Sequence, residues 1–431
     1  MKDILGAKTN ELLGVSEKYE PACMNWQAPA VWDHAQGAEI WDVDGKHYID
    51  WTSGVLVANV GHAHPYLAEA ISRQAKRLLN TFDFPTPERL ALAQRIIEAA
   101  PSHLDKVIFL TTGAEATDAA LRLARKHTQT YEVLSFWGGF HGRSFGPMSF
   151  TGIAKIKRNF GPLVPGVILA PYAYCYRCPF DKTHPECNLF CLDFLDKVVE
   201  TESSGSLGAL IVEPYQGTSG FVFPPQGYLK KLENWARDRK ILFILDEVQS
   251  SFGRTGKMWA LEHEGLKPDI LCLGKGIGSG APIAAVVSTS EIFSGLSTGE
   301  MSSTMGGNPL SCAAALAVLD IIEKEKLIEK AAANGEYLKN RLLELKERFG
   351  VIGDVRGMGL VYGIEFVKDR MTKDPASDLA NDIVLKCVAN GLMAGKLGIY
   401  GNVMRVAPPL VITREQIDRS VSILEKVLAE V

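Results

Sequence analysis

The sequence of 431 residues predicts an α/β protein built around a mainly parallel sheet, and three observations lead there. Short aliphatic runs at 241–245 and 270–273 have the length and composition of strands covered on both faces. Each run is closely followed by a reactive side chain, Asp246 after the first and Lys275 after the second, and open α/β sheets gather ligands beyond the carboxyl ends of their strands. From about residue 66 helical and strand periodicities alternate, and 46% apolar content in a chain this long supports two domains sharing a cleft.

The elements follow in order. The opening MKDILGAKTNELLG carries charge where a signal peptide needs its apolar stretch, and no later segment approaches 18 uninterrupted apolar residues. With a net formal charge of −4 and no long basic run, the composition argues against nucleic acid or an anionic membrane as partner. The expectation is a soluble cytoplasmic protein. Alternation over 39–42 and 47–51, split by Asp44-Gly45, predicts a hairpin. His62 and His64 have the spacing of a metal chelate, but no third ligand cluster accompanies them.

Helices are expected over 69–79 and 87–99, then a strand over 106–112 and a helix over 114–126 opened by TTGAEATD. Gly113 allows a tight turn, and the free amides of a helix start favour an anion. A strand at 132–136 leads into WGGFHGRSFG, where Phe140 can lie against a flat ring and the Arg143 guanidinium can grip a carboxylate at two points. A strand over 207–212 delivers Glu213, and another is expected at 283–288. Beyond about residue 318 come a long amphipathic helix over 327–349, a strand-turn-strand segment, and Arg405 ahead of Pro408-Pro409. The expected domains are an N-terminal segment of the small domain (1–60), a large domain (61–317) and the rest of the small domain (318–431).

Cys175, Cys178, Cys187 and Cys191 form a C-x2-C-x8-C-x3-C pattern that can hold zinc or an iron–sulfur cluster. The alternative is a loop of reduced thiols, and the sequence leaves both open.

An acid at one strand end and a lysine past the next suit pyridoxal phosphate: the lysine holds the aldehyde as a Schiff base, and the carboxylate keeps the pyridine nitrogen protonated. The run LDEVQSSFGRTGKMWA followed by PDILCLGKGIGSGAPI resembles the signature of class III pyridoxal-phosphate-dependent aminotransferases of fold type I. The resemblance extends from about residue 30 almost to the end. It implies a large domain with a mainly parallel seven-stranded sheet and a smaller α+β domain made from both termini. It also implies that Lys275, Asp246 and Gln249 meet the aldehyde, the ring nitrogen and the 3-hydroxyl.

By the same resemblance Gly113 and Ala114 bind the cofactor phosphate, Phe140 and His141 flank the cofactor, and Thr304 reaches the phosphate of a neighbouring subunit in a homodimer. Val55 lines the substrate pocket, Arg143 and Arg405 bind carboxylates, and Glu213 pairs with Arg405 to switch the pocket between substrates. The Asn59 to Pro65 motif is a structural junction, and Met301 replaces a histidine frequent in the family. The implied activity is ping-pong transfer from a 4-aminobutyrate-like ω-amino acid to a 2-oxo acid such as 2-oxoglutarate. Related alternatives are an amino-acid racemase or epimerase, and a dialkylglycine decarboxylase. The decarboxylase pattern carries Gln at the position of Val55 and Trp at that of Phe140.

Overall fold

The computed structural model describes residues 6–24 and 27–431. Met1 to Leu5, part of the charged opening, lie outside them. The strands are β1 (Trp32–Gln36), β2 (Glu39–Asp42), β3 (His47–Asp50), β4 (Lys106–Leu110), β5 (Glu132–Phe136), β6 (Val167–Ala170), β7 (Leu207–Val212), β8 (Leu242–Asp246), β9 (Ile270–Leu273), β10 (Ala284–Ser288), β11 (Ile352–Met358), β12 (Val361–Phe366), β13 (Leu392–Met393), β14 (Gly395–Leu397) and β15 (Val403–Val406).

Seven of them form the central sheet in the order β4-β10-β9-β8-β7-β5-β6. Only β10 runs against its neighbours, so β4, β5, β7, β8 and β9 end at one edge. That edge is where the sequence predicted the chemistry. Every residue of β9 and β10 is buried, as strands with helices on both faces must be. Each fully buried aliphatic side chain here, Ile270 or Val286 for example, contributes about 1.5–3 kcal/mol relative to exposure.

The remaining strands form two four-stranded sheets, β1-β2-β3-β13 and β11-β12-β15-β14. β13 lies parallel to β3, with Leu392 opposite Ile49, so strands from the N-terminal and C-terminal parts of the chain share one small sheet. The helix Pro309–Lys324 passes unbroken through residue 317 and packs on the helices Pro65–Ala75 and Pro87–Ala99. Among the described residues no helix is long and apolar enough to cross a membrane.

Several boundaries differ from the sequence expectation for local reasons. β4 stops at Leu110 because Thr112 caps the helix Gly113–Thr128: its hydroxyl accepts from Glu115 N while the Glu115 carboxylate accepts from Thr111 N and Thr112 N. The helix expected at 69–79 starts four residues earlier because Pro65 fits its first turn. Gly335 sits inside the long helix Leu327–Arg348 because the Gly359 backbone packs against it, and a Cβ there would strike the Gly359 carbonyl.

Candidate active site

The shared strand edge encloses a cavity of about 230 Å³. Its walls come from the start of the helix Gly113–Thr128 (Gly113, Ala114), the turn after β5 (Phe140, His141, Gly142), Glu213 after β7, Asp246, Val248 and Gln249 at and beyond β8, and Lys275 beyond β9. Eight of the sequence-predicted residues therefore meet in one space, though their separation along the chain exceeds 160 positions. At one end the first amides of a 16-residue helix have no intrahelical acceptors and favour an anion.

Asp246 is buried and firmly held. His141 Nδ1 donates to its Oδ2 at 2.7 Å, and Val248 N donates to its Oδ1 at 3.0 Å. His141 is fixed in turn: its amide donates to Thr151 Oγ1 at 3.1 Å, and its carbonyl accepts from Thr117 Oγ1 at 2.7 Å. Thus a carboxylate at the end of β8 is aimed by a histidine 105 positions earlier. Lys275 has a positive φ of 45°, a conformation uncommon outside glycine, which turns its side chain out of the line of β9. Desolvation lowers its pKa below the usual lysine range, against the opposing charges of Asp246 and Glu213, and the Arg405 charge lowers it further.

Val248 escaped the sequence reading. It lies two residues past Asp246, and a Cβ at Gly113 or Gly274 would press on its side chain, at 2.7 and 2.9 Å respectively. Glycines on both sides make room for an aliphatic wall of the cavity. Gln249 Oε1 is buried without a hydrogen-bond partner, an orphan that a ligand hydroxyl would satisfy.

Glu213 is buried beneath the cavity and accepts from Phe140 N at 2.9 Å and Gly217 N at 3.1 Å. Burial pushes its pKa up to about 7. It forms no ion pair with Arg405, so the pairing implied by the sequence resemblance is not the arrangement here. The two backbone amides already occupy both carboxylate oxygens. Arg405, on β15, instead donates from Nη1 to Gln27 Oε1 at 2.8 Å, and burial lowers its pKa to about 10.

Arg143 is exposed, with its guanidinium 5.9 Å from the centre of the Phe140 ring. Val55, 39% exposed, lies within a left-handed turn in which Ser53, Gly54, Val55 and Leu56 all have positive φ. A β-branched residue in that region is strained, and here the strain falls where the substrate pocket was expected. Thr304 is exposed and does not line the cavity of its own chain. Tyr172 is buried behind Glu213 and lines a larger cavity, about 640 Å³, that shares no lining residue with the first.

Arg254, in the same signature run, is fully buried and structural. It donates to Pro408 O at 2.6 Å, Leu360 O at 3.0 Å and Asn59 Oδ1 at 2.7 Å. It thereby ties the N-terminal segment and the segment after Arg405 to the turn that follows β8. His62 and His64 form no chelate, since each meets its own carboxylate at 2.8 Å, Asp50 and Glu325 respectively. The four cysteines at 175, 178, 187 and 191 line one narrow space, and all are free thiols. Burial and the neighbouring thiols push the Cys191 pKa up to about 12. Among the described residues no group of three or more His, Cys, Asp or Glu is placed to hold a metal ion. Glu365 holds the start of this loop, accepting from Tyr174 Oη at 2.5 Å, Arg177 Nε at 2.6 Å and Arg356 Nη1 at 2.7 Å.

Residues 23–428 match the family model described as aminotransferase class-III. A leucine/methionine racemase of Thermococcus litoralis is 39% identical over 407 residues, covering 94% of this chain and 91% of that protein. A probable 4-aminobutyrate aminotransferase of Bacillus subtilis is 37% identical over 397 residues, covering 90% and 91%. Among solved structures, an amine transaminase from an uncultivated Pseudomonas species in its PLP-bound form superposes with a TM-score of 0.90 at 32% identity, covering 96% of this chain and 98% of that one.

Proposed function

The chain belongs to the class III aminotransferases, and from that premise we propose that it transfers an amino group from an ω-amino acid resembling 4-aminobutyrate to a 2-oxo acid, 2-oxoglutarate, as a cytoplasmic homodimer. The cofactor of the family is pyridoxal 5′-phosphate, and the cavity suits it: a helix start for the phosphate, Phe140 and Val248 for a flat ring, the orphaned Gln249 oxygen for a hydroxyl, and Asp246 and Lys275. When bound, this group supplies an amine-exchanging aldehyde and an electron-withdrawing ring.

The protein's own residues would divide the work as follows. Asp246, held by His141 and Val248 N, receives the ring N–H and keeps positive charge there. Lys275 Nζ, favoured in its neutral form by desolvation, would take the proton from the substrate carbon and would deliver it to the carbon that the cofactor's aldehyde contributes, not back to the carbon it left. Glu213 fixes the backbone of Phe140. Arg143 receives a distal carboxylate, Arg405 an α-carboxylate, and Thr304 serves the neighbouring subunit's site.

The observation that carries this reading is the pair of arginines: Arg405 is buried and close enough for its charge to act on Lys275, whereas Arg143 is exposed beside Phe140. Two carboxylate sites suit a protein that handles a distal acid in one half reaction and an α-acid in the other. Replacing Arg405 with Ala is expected to slow the oxo-acid half reaction on the order of 100-fold and to spare the donor half. Equal losses in the two half reactions would overturn the division.

The similarity to a racemase supports a second reading, inversion of an α-amino acid. Incubating the holoenzyme with single amino acids and no oxo acid separates the two. Inversion of configuration marks a racemase, and conversion of the cofactor to its amine absorption band marks an aminotransferase.

A further inference from the structure

Among the described residues, the Arg405 guanidinium makes one hydrogen bond, and it joins two residues 378 positions apart. Gln27 lies in the segment before β1, Arg405 is on β15, and the Gln27 amide oxygen accepts from Nη1 at 2.8 Å. A guanidinium presents two edges with paired donors, Nε with Nη2 along its side and Nη1 with Nη2 at its tip. Gln27 takes one donor of the tip. The side edge keeps both of its donors, and Nε is buried without a partner. For a side chain only 5% exposed, such an orphan is costly unless something accepts from it.

A third element makes the contact possible. Gly395 on β14 lies opposite Arg405, and a Cβ there would run into Gln27 Oε1. Its φ lies outside the left-handed range, so its backbone conformation does not demand glycine. Space for the Gln27 amide is the physical reason for glycine at this position.

We infer that Gln27 is a positioning residue for α-carboxylate recognition. By holding Arg405 through Nη1, it presents the Nε/Nη2 edge to the carboxylate of an α-amino or 2-oxo acid. An uncharged acceptor suits this task because it orients the guanidinium without neutralising it, as a glutamate would. The inference rests on the assignment of Arg405 proposed above and adds the residue that aims it.

The test uses the holoenzyme and glutarate, an unreactive dicarboxylate, measured by titration calorimetry beside the two half reactions. Gln27→Met keeps the side-chain length and removes the acceptor, and Gly395→Ala displaces the Gln27 amide from the other side. Both variants are expected to weaken glutarate binding and raise the KM for 2-oxoglutarate on the order of 10-fold, with the limiting rate within about twofold and the ω-amine half reaction unchanged. Gln27→Glu should weaken binding further by pairing with Arg405. Glutarate binding to Gln27→Met as tight as to the wild type, or tighter, overturns the inference. Arg405→Ala, measured in parallel, tells the two failures apart. If it abolishes glutarate binding while Gln27→Met does not weaken it, only the role of Gln27 falls; if neither matters, the assignment of Arg405 falls with it.

Discussion

Replacing Glu213 with Gln should change how stability depends on pH. Glu213 has a folded-state pKa pushed up to about 7 from 4.5, because burial disfavours the charged form and Asp246 adds repulsion, more than His141 and the two amides offset. Its folded pKa is raised, so between those values the folded protein holds a proton that the unfolded chain has released. Its contribution therefore falls as pH rises through that window. The rise from 4.5 to about 7 corresponds to roughly 3 kcal/mol in total, of which about 2–3 kcal/mol is lost between about pH 5 and about pH 8. Glutamine is isosteric with the protonated acid and does not ionise. Compared by urea unfolding of the cofactor-free protein at the two pH values, the variant should gain that amount relative to the wild type at the higher pH. Parallel pH profiles for the two proteins would show that Glu213 is ionised throughout, and the desolvation argument would fail. Glu247, buried and likewise pushed up to about 7, contributes the same slope to both proteins and cancels.

Lys275→Ala should abolish borohydride trapping of the cofactor while leaving phosphate-dependent cofactor affinity measurable by calorimetry; label found on any other lysine in the wild-type protein would refute the assignment. Arg254→Met removes the donor to buried acceptors on three segments and is expected to cost about 3–5 kcal/mol, read as a lower urea midpoint. An unchanged midpoint would mean that those acceptors find other partners. Gly335→Ala ought to stabilise an ordinary helix interior by about 1 kcal/mol, but here the added methyl group meets the Gly359 backbone, so a net loss of about 1–3 kcal/mol is expected from thermal unfolding.

What could be read from the sequence was set by the range of the interactions. The sheet edge was legible because 242–245 and 270–273 are apolar runs whose burial needs no tertiary knowledge, and Asp246 and Lys275 follow them within two positions. The helix start at Gly113 was legible because its cap, the Thr112 hydroxyl with Glu115, lies within four residues. Features that depend on chain crossing carried no local signal. Nothing near His141 announces its bond to Asp246, and nothing near Glu213 tells that the Phe140 and Gly217 amides occupy its oxygens. Gln27 and Gly395 look like ordinary loop and strand residues until β14 and the segment before β1 converge on Arg405. The lining of the cofactor cavity is thus written in contiguous motifs, because a rigid strand end fixes each side chain locally. The surroundings of Arg405, the proposed carboxylate site, are assembled instead from the two ends of the chain. Substitutions in the terminal segments should accordingly alter which acid the protein accepts before they alter how the cofactor is held.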